Sequence, residues 1–187
     1  IDIGGSLNAR GSELVFGDGT NVSITAGNIT SGAMSGAENV VLQTGGSLIV
    51  DGAIAADSVQ LGGAAIQINA AVNVGEGTVV VLPGASSTTL EAGDLANVRA
   101  GTLQIGNGTG NAGVTVTGSG HLNVDNLTVS LGGSYSANGS SLSFSEGAAV
   151  TVSAANINSG AMSGAGTVTL DTAGALAVNG AVSAEQV

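Results

Sequence analysis

A gapless internal repeat is the feature of this sequence that most restricts its fold. Residues 1–59 return as residues 129–187 at a constant offset of 128, and 30 of the 59 aligned positions are identical. Both copies contain the heptapeptide SGAMSGA, at 31–37 and at 159–165. A fixed period is typical of arrays in which each unit stacks on its neighbour. The sequence therefore predicts one continuous segment over 1–187, cut from a longer array, with a supra-repeat at 1–128 and a partial second copy at 129–187.

Short runs of alternating apolar and polar residues fill the chain, and Gly, Asn, Asp or Ser interrupts each run. A period of two residues indicates strands with one buried face. The segment 92–98 (AGDLANV) is compatible with a single helical turn, but no sustained helical period is present. The chain is thus predicted to be nearly all β, with inward pairs at Leu48/Val50, Ile66/Ile68, Val79/Val81, Leu103/Ile105 and Leu176/Val178.

Two all-β architectures accommodate strands this short, namely a sandwich or barrel and a β-solenoid. Aromatic residues make up only 2% of the chain, whereas a sandwich core normally uses large aromatic side chains. The ungapped repeat requires each coil to stack in one register, and the single proline, Pro83, leaves the hydrogen-bond ladders almost uninterrupted. These features predict a parallel β-helix with coils of roughly twenty residues, which gives about six coils per supra-repeat.

The repeat also identifies candidate core residues. Phe16 and Phe144 are equivalent positions, as are Met34 and Met162. Because large or flexible apolar side chains fill gaps in a core of small residues, we expect all four to point inward. A ligand-binding role is not predicted for either pair.

The net charge of −11 arises from 13 acidic residues against two basic ones, Arg10 and Arg99. Nucleic-acid binding requires clusters of Lys and Arg, and attachment to anionic lipid also depends on basic residues. No apolar run approaches the ~20 residues that span a bilayer. The sequence therefore predicts neither a nucleic-acid partner nor membrane insertion. The absence of cysteine suits an extracellular protein that gains stability from repetition.

The acidic and basic residues do not form the patterns that carbohydrate-active β-helix enzymes use. Glycosidic hydrolysis needs two carboxylates that face each other across the bond. Here the acids are isolated in sequence, and Arg10 is replaced by Asn138 one period later. Arg99 is unique in the chain, with Asp94 and Glu91 as its nearest acids in sequence. No catalytic residue is predicted, and the chain is not expected to be an enzyme.

No metal or cofactor site is predicted either. His121 is the only histidine, and without cysteine it cannot form a metal site alone, so a solvent-facing or turn position is expected. The segment GDGTN (17–21) contains Asp18 and Asn21 but does not match the twelve-residue calcium loop. Glu146 replaces Asp18 in the second copy, and we interpret the segment as a turn.

Two hydroxyl-bearing patterns remain as binding candidates. The triplets Thr115-Val116-Thr117 and Thr167-Val168-Thr169 place hydroxyls outward around an inward Val, and stacked ranks of this kind could bind ice or a crystalline polysaccharide. The ranks do not persist along the sequence, since Ser23-Ile24-Thr25 and Thr151-Val152-Ser153 are mixed, and the β propensity of Thr is the simpler explanation. Asn-x-Ser/Thr sequons are frequent by chance in a chain this rich in Asn, Ser and Thr; they occur at Asn21, Asn28, Asn107, Asn126 and Asn138.

Two longer stretches resemble a known family. GGSLIVDGAIAADSVQLGGAAIQINAAV (45–72) and TLEAGDLANVRAGTLQIGNGTGNAGVTVTG (89–118) resemble the filamentous-haemagglutinin-like large exoproteins that Gram-negative bacteria export by two-partner secretion. The resemblance covers most of the chain. It implies a right-handed parallel β-helix that forms the shaft of a surface adhesin or secreted fibre. The NPNG-type motif of that family's secretion domain is not found in the sequence, so the resemblance concerns shaft repeats only.

The function expected from these observations is structural: a rigid extracellular or cell-surface β-helical shaft of a bacterial adhesin involved in cell adhesion or biofilm, or a filament built from such repeats. Its expected partner is itself, through coil stacking and further repeats beyond both ends, since neither 1–5 nor 184–187 resembles a polar cap. A host or cell-surface glycan is a second expected partner. The alternatives are a glycan- or ice-binding module that uses outward Thr, Ser and Asn, and, third, a carbohydrate-active enzyme.

Overall fold

The computed structural model describes residues 1–84, 86–110 and 112–187. Within these ranges the chain forms nineteen β-strands and one short helix. The first strands are β1 (Asp2–Asn8), β2 (Glu13–Ser31), β3 (Ala33–Thr44), β4 (Ser47–Val50), β5 (Ile54–Gly63), β6 (Ala65–Ile68), β7 (Val72–Asn73), β8 (Thr78–Pro83) and β9 (Thr88–Glu91). After α1 (Ala92–Leu95) follow β10 (Val98–Ile105), β11 (Val114–Thr117), β12 (Ser119–Ser130), β13 (Ser134–Ser136), β14 (Ser141–Phe144), β15 (Ala149–Ala154), β16 (Asn156–Ser159), β17 (Ala161–Thr172), β18 (Leu176–Val178) and β19 (Val182–Gln186).

The coils stack through parallel strand pairs as a β-solenoid of about nine turns, which confirms the predicted fold class. The ladder can be followed along one inward column that starts at Val22. Each register partner in this column lies one coil further along the chain. Three coils lead from Val22 to Val79, and three longer coils lead from Val79 to Val150. Six coils therefore separate Val22 from its equivalent in the second copy, Val150. The column consists of Val22, Val40, Val59, Val79, Leu103, Leu127 and Val150.

The strands form two sheets. Fourteen strands form the larger sheet, and β9, β11, β13, β16 and β18 form the smaller one. Several strands are much longer than the sequence pattern suggested: β2 has 19 residues, and β3, β12 and β17 have 12 each. The expectation of short strands was wrong because glycines bend these strands without ending them. The segment 17–21 lies inside β2, where the pairing register with β3 shifts, and Gly19 there has φ +75°.

The helical turn expected at 92–98 is confirmed as α1 (Ala92–Leu95). A helix cannot continue a β ladder, so the backbone of β6 needs other partners at this point. Two side chains provide them. The Asp94 carboxylate accepts a hydrogen bond from the Ile68 N–H at 3.2 Å, and the Asn97 amide donates to the Ile68 carbonyl at 2.6 Å. The side chains of Asp94 and Asn97 thus take the place of backbone hydrogen-bond partners for Ile68.

The core is a column of small and branched apolar side chains, as expected. Met34 and Met162 are each 1% exposed, and Phe144 is 4% exposed. Phe16 is only partly buried but packs against the core. The inward pairs at 48/50, 66/68, 79/81 and 103/105 are all buried.

One predicted core pair is not buried. Leu176 and Val178 are 50% and 51% exposed, whereas their equivalents, Leu48 and Val50, are completely buried. The difference follows from the strand neighbours. Leu48 and Val50 in β4 lie between β2 and β6, but β18 is the outermost strand of its sheet and pairs only with β16.

The heptapeptide SGAMSGA recurs because each coil packs on a turn of the coil before it. In the first copy Ser12 N–H donates to the Ala9 carbonyl at 3.0 Å, and Gly11 has φ +73°, as in a type II turn. Gly32 lies directly against this turn, since a Cβ atom there would overlap the Ala9 and Ser12 carbonyl oxygens. The second copy has the same arrangement at Ala137, Gly139, Ser140 and Gly160.

A second recurrent corner is built from side-chain hydrogen bonds. Thr44 Oγ1 donates to the Gly27 carbonyl at 2.5 Å, and Asn28 Oδ1 accepts from the Ser47 N–H at 2.9 Å. Both bonds join one coil to the next. Their counterparts are Thr172 to the Ala155 carbonyl at 2.8 Å and the Ala175 N–H to Asn156 at 3.0 Å. The positions that are identical in both copies are therefore largely core and corner positions.

Candidate functional surface

Arg10, one of the two basic residues, forms an ion pair with Asp51, which lies two coils further along. Asp51 also accepts a hydrogen bond from the Asn69 amide at 3.0 Å. The Arg10 side chain is 66% exposed, and that of Asp51 is 16% exposed. Arg10 therefore has a structural partner at a corner of the solenoid. In the second copy the equivalents of this ion pair are Asn138 and Asn179.

Arg99 occupies a different setting from the one its sequence neighbours suggested. It lies in β10 between Asn73 and Asn123 of the adjacent coils. An open groove brings it together with Glu76 and Asp125, not with Glu91 and Asp94. Within 1–84, 86–110 and 112–187, Arg99 makes no ion pair.

Three of the acidic residues line the same groove. Asp18, Glu38 and Asp57 come from three consecutive coils and line a second open groove. A metal ion would need several ligand groups close together. Among the described residues no group of three or more His, Asp or Glu is close enough to hold one. His121 lies exposed in β12, as expected, and its Nδ1 is 3.1 Å from the Ser143 hydroxyl.

The outward side of the large sheet is an uncharged and mostly polar surface, here called the outer face. Its two outward columns run parallel to the core column and contain no charged residue. Asn39 donates to Asn21 and Ser58 donates to Asn39, each at 2.5 Å, so side chains also form a ladder along this surface. The outer face consists of Asn21, Asn39, Ser58, Thr78, Thr102, Asn126, Ala149 and Thr167, with Ser23, Val41, Gln60, Val80, Gln104, Thr128, Thr151 and Thr169.

The two Thr-Val-Thr triplets do not stack into one rank. Residues 115–117 lie in β11 of the small sheet, and residues 167–169 lie in β17 of the large sheet. Thr169 of the second triplet instead belongs to a threonine column that the sequence did not reveal: Thr128, Thr151 and Thr169 are register partners in three successive coils. The pattern was missed because its members are far apart in sequence and unevenly spaced, so only the strand register reveals it.

Three buried hydroxyl groups lack a hydrogen-bond partner within the described chain. Ser31 and Ser159 occupy equivalent positions, and both are completely buried. Tyr135, the only tyrosine, is 1% exposed and replaces Leu7 of the first copy. Burial raises the pKa of the Tyr135 hydroxyl far above its usual range.

The sequons divide into two groups once the side-chain hydrogen bonds are known. The amides of Asn21, Asn28 and Asn126 bond to neighbouring coils, Asn28 through Ser6 and Ser47 and Asn126 through the Gly101 carbonyl at 3.3 Å. Asn107 and Asn138 are exposed in turns or loops. Only the latter two sequons thus present an asparagine away from the inter-coil contacts.

Comparison with protein-family models, with curated proteins and with solved structures finds no match. No helix in the described part of the chain is long and apolar enough to cross a membrane. The β-solenoid is consistent with a β-helical shaft.

Proposed function

We propose that the chain is a rigid shaft segment of an extracellular or cell-surface adhesin of the filamentous-haemagglutinin-like type, without catalytic activity of its own. The observation that carries this proposal is the six-coil period of packing from Val22 to Val150. Repetition of the core and corner residues keeps the coils stacked in a uniform way. An active site would instead need a group of polar residues held close together.

The exposed charged residues support the same proposal. Arg10 and Asp18 change identity in the second copy, to Asn138 and Glu146, while Gly32, Met34 and Thr44 are retained as Gly160, Met162 and Thr172. Stacked main-chain ladders resist extension along the axis. The net charge of −11 gives neighbouring shafts like charge and so disfavours their lateral association.

Electron microscopy of the native material tests the shaft. We expect thin, unbranched fibres with an axial repeat of about 29 Å, because six coils stack at roughly 4.8 Å each. Immunogold labelling of intact cells should place these fibres outside the cell. Compact particles, or labelling confined to the cell interior, would contradict the proposal.

The outer face favours a second candidate function, the binding of a glycan with a repeating surface. Its outward columns are uncharged over eight coils, and polar side chains spaced by the coil height match a periodic ligand better than a single small molecule. Co-sedimentation with insoluble polysaccharides tests it. We expect Thr151→Glu, in the middle of the threonine column Thr128–Thr151–Thr169, to reduce binding, and Thr115→Glu, on the small sheet, to leave it unchanged. Equal binding by both variants would exclude the outer face as the binding surface.

A further inference from the structure

The chain contains three Asn-Gly dipeptides, at 107–108, 138–139 and 179–180. An asparagine followed by glycine is chemically labile because glycine has no side chain to hinder attack by its backbone nitrogen on the neighbouring amide. In a folded protein the reaction also requires that the glycine nitrogen be free to approach Cγ of the asparagine side chain. The three sites differ in this respect.

Asn107 and Asn179 are both restrained. Asn107 Oδ1 accepts hydrogen bonds from the Thr109 N–H at 3.1 Å and the Thr109 hydroxyl at 2.6 Å. The Gly108 N–H, which would be the nucleophile, donates to the Ser130 carbonyl at 2.8 Å. Asn179 donates from its amide to Asn158 Oδ1 at 2.5 Å.

Asn138 has no such restraint. It occupies the second position of the turn Ala137–Ser140, and both Asn138 and Gly139 are exposed. The turn is held by the Ser140 N–H and hydroxyl, which donate to the Ala137 carbonyl at 2.9 and 2.6 Å. Among the described residues neither the Asn138 amide nor the Gly139 N–H has a hydrogen-bond partner.

We propose that Asn138 is a site of spontaneous covalent modification, at which the folded protein deamidates before either other Asn-Gly site. The Gly139 nitrogen bonds to Cγ of Asn138, the amide C–N bond breaks, and the nitrogen leaves as ammonia with the Gly139 proton. Water then opens the resulting succinimide to an aspartyl or isoaspartyl residue. This inference is independent of the proposed shaft function.

The modification changes the charge of one corner. The net charge moves from −11 to −12, and a carboxylate appears where the first copy has the cationic Arg10. An isoaspartyl linkage also lengthens the backbone of the turn by one atom. The second copy thus acquires, with time, an unpaired negative charge at a corner where the first copy has the Arg10–Asp51 ion pair.

Incubation in mildly alkaline buffer, followed by peptide mass mapping, tests the proposal. We expect conversion at Asn138 to be several-fold faster than at Asn107 and Asn179 in the folded protein, and similar at all three sites in denatured chain. Conversion at Asn138 that is no faster than at the other two sites would overturn it, as would the same ratio of rates in the denatured chain. With Asn138→Arg, which copies the first repeat, the earliest acidic species on isoelectric focusing should disappear. Its undiminished formation would also overturn the proposal.

Discussion

The Arg10 guanidinium reaches across a whole coil to pair with the Asp51 carboxylate. Gly32 and Gly52 leave room along this corner, because neither has a side chain and their backbones lie in close contact. Both members of the ion pair change together in the second copy, to Asn138 and Asn179. A neutral pair of residues thus occupies the same corner in one copy and a charged pair in the other.

This exchange predicts that the ion pair contributes little to stability. The double variant Arg10→Asn/Asp51→Asn should unfold within about 1 kcal/mol of the parent, because the Arg10 side of the pair is largely exposed to solvent. A double-mutant cycle by urea denaturation should give a coupling of roughly 0.5 kcal/mol that decreases at high salt. A coupling several times larger that persists at high salt would show that the pair behaves as a buried one.

The close contact at Gly32 predicts a much larger effect. Gly32→Ala should lower the free energy of unfolding by about 3 kcal/mol, since the new methyl group overlaps two carbonyl oxygens of the preceding turn. Thermal and urea denaturation measure this loss. Gly45→Ala is the matched control, because a Cβ there meets no neighbouring atom and the second copy already has Ala173. Equal effects of the two substitutions would refute the contact.

Removal of the Tyr135 hydroxyl is expected to stabilise the protein, in contrast to Gly32→Ala. Tyr135→Phe should raise the free energy of unfolding by about 1 kcal/mol, because it removes a buried hydroxyl that has no partner in the described chain. Unfolded tyrosine ionises near pH ~10, whereas the native hydroxyl keeps its proton, so stability should fall as the pH rises above that value. Circular dichroism at increasing pH should show this fall in the parent and a smaller one in Tyr135→Phe. An identical fall in both would contradict the burial.

Asp94 gives a pH dependence in the acidic range. Desolvation raises the pKa of Asp94, against the lowering effect of the Ile68 N–H, and the charge of Glu91 raises it further. The native state therefore binds more protons than the unfolded state between the usual aspartate pKa and the raised one. The contribution of Asp94 to stability should decrease as the pH rises through this window.

Two substitutions separate charge from hydrogen bonding at this site. Asp94→Asn keeps an acceptor for the Ile68 N–H, so it should remove the pH dependence and be at least as stable as the parent at pH ~7. Asp94→Ala should lose about 1 kcal/mol, because the backbone N–H loses its partner. Urea denaturation over a series of pH values measures both. A steeper pH dependence of the free energy of unfolding in Asp94→Asn would contradict a raised pKa of Asp94.

The solenoid could be predicted from sequence because its two periods are both visible there. Alternation identifies the inward residues, such as Leu103 and Ile105, and the offset of 128 shows that they stack. The partners of polar residues could not be predicted in this way. Thr44 bonds to Gly27 and Asp94 to Ile68, and these separations follow from coil lengths that differ along the chain.

The candidate surface was harder to predict than the core, because the neighbours of an outward side chain also depend on the lengths of the coils. A side chain such as Val22 is inward whatever the next coil contains, but the environment of Thr151 depends on which residues the register places beside it. Leu176 and Val178 show the same dependence on neighbours, since β18 has a paired strand on one side only.

The unequal coils have a consequence for the exterior. Each of the three coils between Val79 and Val150 contains more residues than any of the three between Val22 and Val79, and the next step, from Val150 to Val168, is short again. The three coils between Val79 and Val150 therefore hold more chain at the same axial rise than the coils on either side of them. A molecule that binds along the solenoid would therefore meet a different surface at these three coils than at the shorter coils before and after them.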